Sequence, residues 1–156
     1  MKLGILTTFT LALLFLDCGK KELKPVTDAE KPLFETVLQK NQEVIDGLLK
    51  TENRAPDTQE LEKALDSLAS ANGGLSETAA ELKKALKEVE APDLEGSLIA
   101  YSKFSDLLAS TMKGRGLENG RNRFYCPMVK KTWVASGSKI RNPYAPDMRD
   151  CGDIVP

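Results

Sequence analysis

Between residues 29 and 116 apolar side chains return every three or four positions in four separate blocks, and each block stops at a cluster of Asn, Gly or Pro. That period lays one apolar stripe along a helix and would scatter the same residues over both faces of a strand. It predicts a first helix over 29–51, striped by Leu33, Phe34, Val37, Leu38, Val44, Ile45, Leu48 and Leu49. A second starts near Asp57-Thr58-Gln59-Glu60, read as a capping box, and carries Leu61, Ala64, Leu65, Leu68 and Ala71. A third opens at Ser76 with Ala79, Leu82, Leu86 and Val89 inward, and a fourth runs over 93–113 through Leu94, Leu98, Tyr101, Ser105, Leu108 and Met112, with Ile99, Phe104 and Leu107 widening that face. Stripes of this kind are stable only when they face one another, and short connections make neighbours antiparallel. The expected fold class is all-α: an antiparallel up-and-down four-helix bundle.

After Gly114-Arg115-Gly116 the pattern changes. Pro127, Pro143, Pro146 and Pro156 deny a long fifth helix, yet Phe124, Tyr125, Trp133, Ile140 and Tyr144 are too bulky to leave in water. This predicts an irregular, cysteine-containing C-terminal tail packed on the bundle, with a short ribbon around 124–125 and 132–135. Trp133 and Tyr144 read as its apolar plug, and Asn122 and Asn142-Pro143 as turn formers. Charge supports docking within the molecule. Residues 18–114 hold 13 basic and 18 acidic side chains, whereas 115–156 hold 8 and 4. A basic tail beside an acidic body needs no nucleic acid as partner, and none is expected.

The N-terminus reads as a targeting segment. Lys2 precedes an apolar run through Leu16, too short to span a bilayer, that stops against Asp17-Cys18-Gly19. We read 1–17 as a lipoprotein signal peptide, Cys18 as the lipidated first mature residue, 18–28 as a charged spacer and 29–156 as the domain. The expected location is the bacterial cell envelope, held to the membrane by the lipid anchor. Lipid on Cys18 leaves Cys126 and Cys151 of the three cysteines.

Met128 follows Cys126 by two positions and Met148 precedes Cys151 by three, so four sulfurs converge in one segment. Two outcomes are open. Cys126 and Cys151 can form a disulfide, the usual fate of paired exported cysteines. Alternatively Cys126, Met128, Met148 and Cys151 can hold a soft ion such as Cu(I), with Arg123, Lys130 and Arg149 favouring thiolate. The chain has no histidine, so Ser-His-Asp and Cys-His mechanisms and histidine-bound zinc are excluded. There is no phosphate-binding Gly-rich loop and no C-x-x-C pair, and the many carboxylates fall at solvent-facing helix spacing. An enzyme is not expected.

Phe124-Tyr125-Cys126-Pro127-Met128, then Trp133, then Ile140-Arg141-Asn142-Pro143-Tyr144, then Met148, Cys151 and Gly152 resemble the ending of a small helical domain-of-unknown-function family. Its members occur as stand-alone bacterial lipoproteins and as the C-terminal part of CusB-type heavy-metal efflux adaptors. The resemblance covers about 29–152 and is specific in the tail; Lys131-Thr132 and Ala145-Pro146 stand where the family often has Gly-Ala and Phe-Gly. It implies copper or related metals, with efflux components as partners. Two readings follow: a lipid-anchored soft-metal or efflux-accessory domain, or a non-catalytic structural or interaction lipoprotein in which Cys126–Cys151 is a staple.

Overall fold

The computed structural model describes residues 24–156; the proposed signal segment and Cys18 lie outside the described residues. Four helices come first: α1 (Glu30–Lys50), α2 (Gln59–Ala69), α3 (Ser76–Lys87) and α4 (Leu94–Arg115). The chain then changes class. Strands β1 (Arg121–Cys126), β2 (Lys131–Ser136) and β3 (Asp153–Val155) form an antiparallel sheet in the order β2-β1-β3, with a single 3-10 turn at Pro146–Met148. The all-α expectation is therefore overturned. This is a mixed fold, helices followed by an antiparallel sheet.

The expected ribbon is a hairpin of two six-residue strands, with Phe124 opposite Trp133 and Cys126 opposite Lys131. The third strand, formed by the last residues of the chain, was not expected. Three residues carry too little alternation to announce a strand, and β3 exists only because β1 offers it a second edge.

Successive helices pack in pairs, α1 on α2, α2 on α3 and α3 on α4. Where α1 and α4 would close a bundle, β2 packs against both. Residues 131–135 of β2 are all buried, so the strand is covered on both faces. α4 is buried beyond a single stripe for the same reason: Ser97, Ala100, Ser102 and Ala109 are covered as well as Tyr101, Phe104, Leu108 and Met112. Small residues there let a sheet approach the helix, and Ile99, expected to widen the inward face, is exposed.

The helix starts also differ from expectation. Asp57 receives only a long 3.5 Å bond from Gln59 N–H, and Glu60 pairs with Lys63 instead of reaching back. The reciprocal box lies at Thr27-Asp28-Ala29-Glu30. There Thr27 N–H and Oγ1–H donate to Glu30 Oε2, both at 2.9 Å, and Glu30 N–H donates to Thr27 Oγ1 at 3.3 Å. Glu30 is fully buried, and its carboxylate also accepts from Gly74 N–H at 3.0 Å and Leu75 N–H at 2.6 Å. One carboxylate thus ties the start of α1 to the α2–α3 turn. Burial pushes its pKa up, but the backbone and Thr27 hydrogen bonds outweigh it and hold the group below the ordinary carboxylate value. Gly73 is required beside it, since a Cβ would fall 2.2 Å from the Glu30 carboxyl carbon.

Candidate functional site

The feature that the tail is built around is a disulfide between Cys126 and Cys151, with 5.5 Å between their Cα atoms. Cys126 is the last residue of β1 and fully buried; Cys151 is partly buried, two positions before β3. The loop between is laid down by local bonds. Asn142 and Arg149 clasp each other through Asn142 N–H to Arg149 O at 2.8 Å and Arg149 Nη1 to Asn142 O at 2.7 Å. Asn142 Oδ1 accepts from Tyr144 N–H, the turn role expected of it. Tyr144 then donates its hydroxyl to Thr132 O at 2.7 Å, fixing the loop to β2.

Trp133 is fully buried at the centre, stacked on Phe124 at 5.3 Å and edge-on to Tyr144 at 6.3 Å, so the expected aromatic plug is present. Gly152 meets the Trp133 ring at φ +148°, where a Cβ would lie 2.7 Å from Cη2.

The outer edge of β2 is closed by helix side chains. Asn41 Nδ2 donates to Val134 O at 2.8 Å, Thr132 N–H donates to Ser102 Oγ at 2.7 Å, and Ser136 N–H donates to Gln42 Oε1 at 2.8 Å. An edge covered in this way is unavailable to another strand. Arg121 pairs with Glu35, Arg123 with Asp106 at 2.8 Å and Lys131 with Glu95 at 2.7 Å, so the basic tail docks on the acidic helices.

Of the four sulfurs, the structure brings the two cysteines together. Met128 stands on the β1–β2 turn, 71% exposed, and Met148 is partly buried in the 3-10 turn. With the disulfide formed neither cysteine is a thiolate, so the set is not a ligand cage in this oxidised form. Arg123 and Arg149, expected to favour thiolate, spend their guanidinium groups on Asp106 and the Pro156 carbonyl, and on the Asn142 carbonyl. Among the described residues no group of three or more His, Cys, Asp or Glu side chains could hold a metal ion, and no helix is long and apolar enough to cross a membrane.

A groove of about 490 Å³ runs between α4 and the end of the sheet. Ala109 and Met112 form its floor, Ile154, Val155 and Pro156 one wall, and Lys113, Glu118, Arg121 and Arg123 its polar margin. Ile154 is 46% exposed, an unusual placement for a large apolar side chain among the described residues. Sequence reasoning missed this wall because it missed β3. It also missed Asn41, Gln42 and Ser102, whose only signal was polarity at helix positions flanking a stripe.

Fold and site together define a class: a helical body with an antiparallel sheet set into its open side, the sheet segment cross-linked to itself by a disulfide. Comparison with protein families, curated proteins and solved structures finds no match to this chain.

Proposed function

We propose that this is a lipid-anchored, non-catalytic envelope protein that holds a protein partner in the groove between α4 and β3. The observation that carries it is the half-exposed Ile154 on the wall of an apolar-floored groove, beside a strand edge that no other strand among the described residues covers. Extended peptide segments bind such edges through main-chain hydrogen bonds and side-chain pockets. Cys126–Cys151 serves as the staple that holds the wall. A photo-cross-linker in place of Ile154 is expected to give one discrete adduct in cells, while the same group in place of Ile99, exposed on α4, gives none. Equal adducts at both positions, or none at either, overturn the groove. For the anchor, labelled fatty acid is expected to enter wild type and not Cys18→Ala.

The second reading, a soft-metal or efflux-accessory domain, draws on the family resemblance and on the adjacency of two sulfurs. It concerns the reduced protein, with Cys126 and Cys151 as thiolates and Met128 or Met148 completing the site. Titration of reduced protein with Cu(I) against a competing chelator tests it. Tight binding lost in Cys126→Ser supports this reading, and no binding by reduced wild type ends it.

A further inference from the structure

The last strand is held unequally. Val134 and Thr132 turn their backbone groups to Asn41, Ser102 and Tyr144, away from β1. Antiparallel pairs alternate, so their partners Arg123 and Tyr125 direct N–H and C=O towards β3, while Phe124 directs its own towards β2. Only Val155 and Asp153 answer them. Asp153 and Ile154 are exposed and Val155 is partly so, which leaves β3 little buried apolar surface. A three-residue strand of that kind is not stable by pairing alone. The preceding loop needs no disulfide, because the Asn142–Arg149 clasp closes it on itself and the Tyr144–Thr132 bond fixes it to β2.

We propose that Cys126–Cys151 is a redox latch: its reduction frees the chain from about residue 150 onwards, removes the β3 wall of the groove and uncovers the outer edge of β1. The reductant is a dithiol. Its thiolate attacks the partly exposed Cys151 sulfur, the S–S bond breaks, and Cys126 leaves as a thiolate that takes up a proton. The second thiol of the dithiol then attacks the mixed disulfide. Cys151 is released as a thiol, and the reductant departs as its own disulfide. Two electrons pass to the protein, and no other co-reactant is needed. Release also places an edge strand in solvent, where Arg123 and Tyr125 offer unpaired backbone groups to an extended chain. The effect on binding rests on the groove reading; the strand's release rests on the sheet alone.

Amide hydrogen exchange, resolved by residue on the full chain, tests the latch with and without excess dithiothreitol and in Cys151→Ser. In both unlatched forms the Arg123 and Tyr125 amides are expected to exchange at least tenfold faster, while the Phe124 amide keeps its oxidised rate. Unchanged Arg123 and Tyr125 rates in the two unlatched forms would show that β3 stays paired and overturn the proposal. Equal acceleration at Phe124 would overturn it too, by showing that the whole sheet melts. Neither result depends on whether the groove has a partner.

Discussion

Tyr101 on α4 donates its hydroxyl to Asn41 Oδ1 on α1 at 2.8 Å, and Asn41 passes its own amide on to Val134 O in β2. Three elements meet at one buried side chain. Burial drives the Tyr101 phenol pKa up, so it remains a neutral donor through the working pH range. A wholly apolar centre would let β2 slide along the helices; this pair gives the strand a fixed address.

Replacing Asn41 with Leu strands the Tyr101 hydroxyl and the Val134 carbonyl together. The expected loss is about 2–4 kcal/mol, against about 1–2 kcal/mol for Tyr101→Phe, which removes a single bond. The double variant should lose less than the sum, because both changes act on one network. Urea unfolding followed by circular dichroism measures all three, and strict additivity would show that the two side chains act independently.

The disulfide closes a loop across a sequence separation of 25. Restricting the unfolded chain by that much stabilises the fold by about 3–4 kcal/mol on the chain-entropy estimate. Cys151→Ser is the gentler probe, since Cys126 is fully buried and a hydroxyl there would add a desolvation cost. The variant should unfold at lower urea with its helical signal intact beforehand. A midpoint equal to that of wild type would mean that the tail is held by its other bonds.

How far the sequence reaches can be followed residue by residue. The stripes of α1, α2 and α3 were legible because one apolar face per helix is what a 3.6-residue period records: Phe34, Leu65 and Leu82 are fully buried as their spacing implies. α4 misled, since a helix covered on two sides carries apolar and small residues around most of its circumference. Its Ser102, not read from the sequence, marks where the sheet comes close. The hairpin was legible from Phe124-Tyr125 and Trp133, but β3 was not, because three residues show no alternation and the β1 edge they pair with is distant in sequence. The pairing of Cys126 with Cys151 was one of two open outcomes. The Thr27–Glu30 box was overlooked at the edge of the charged spacer.

Glu30 gives a pH prediction with a definite sign. Its carboxyl pKa is below the ordinary 4.5 in the folded protein. An acid so shifted contributes stability that is fully present above its unfolded pKa and is lost as pH falls through the folded one. Glu30→Gln should therefore be less stable than wild type at pH 7, and the gap should narrow as pH drops below about 4.5. Glu35, lowered by Arg121 and Asn119 against the effect of burial, titrates in the same region in both proteins and cancels in the difference. A gap that is constant from pH 7 to pH 3 would assign the Glu30 effect to shape and not to charge.

Gly152 offers the sharpest test of how the staple, the aromatic plug and the last strand are joined. Its φ of +148° is foreign to residues with a side chain, and an added Cβ would meet Trp133 Cη2 at 2.7 Å. The ring cannot give way easily, being stacked on Phe124 and bounded by Tyr144. Gly152→Ala must then shift either the indole or the chain between Cys151 and Asp153. Backbone strain and overpacking together should lower stability by about 2–4 kcal/mol. Trp133 is the sole tryptophan, so its fluorescence reports on this contact directly. An altered emission with unchanged helical circular dichroism is expected, because the displaced groups belong to the sheet. If Gly152→Ala leaves both emission and stability as in wild type, the close approach of chain to ring does not hold the tail in place.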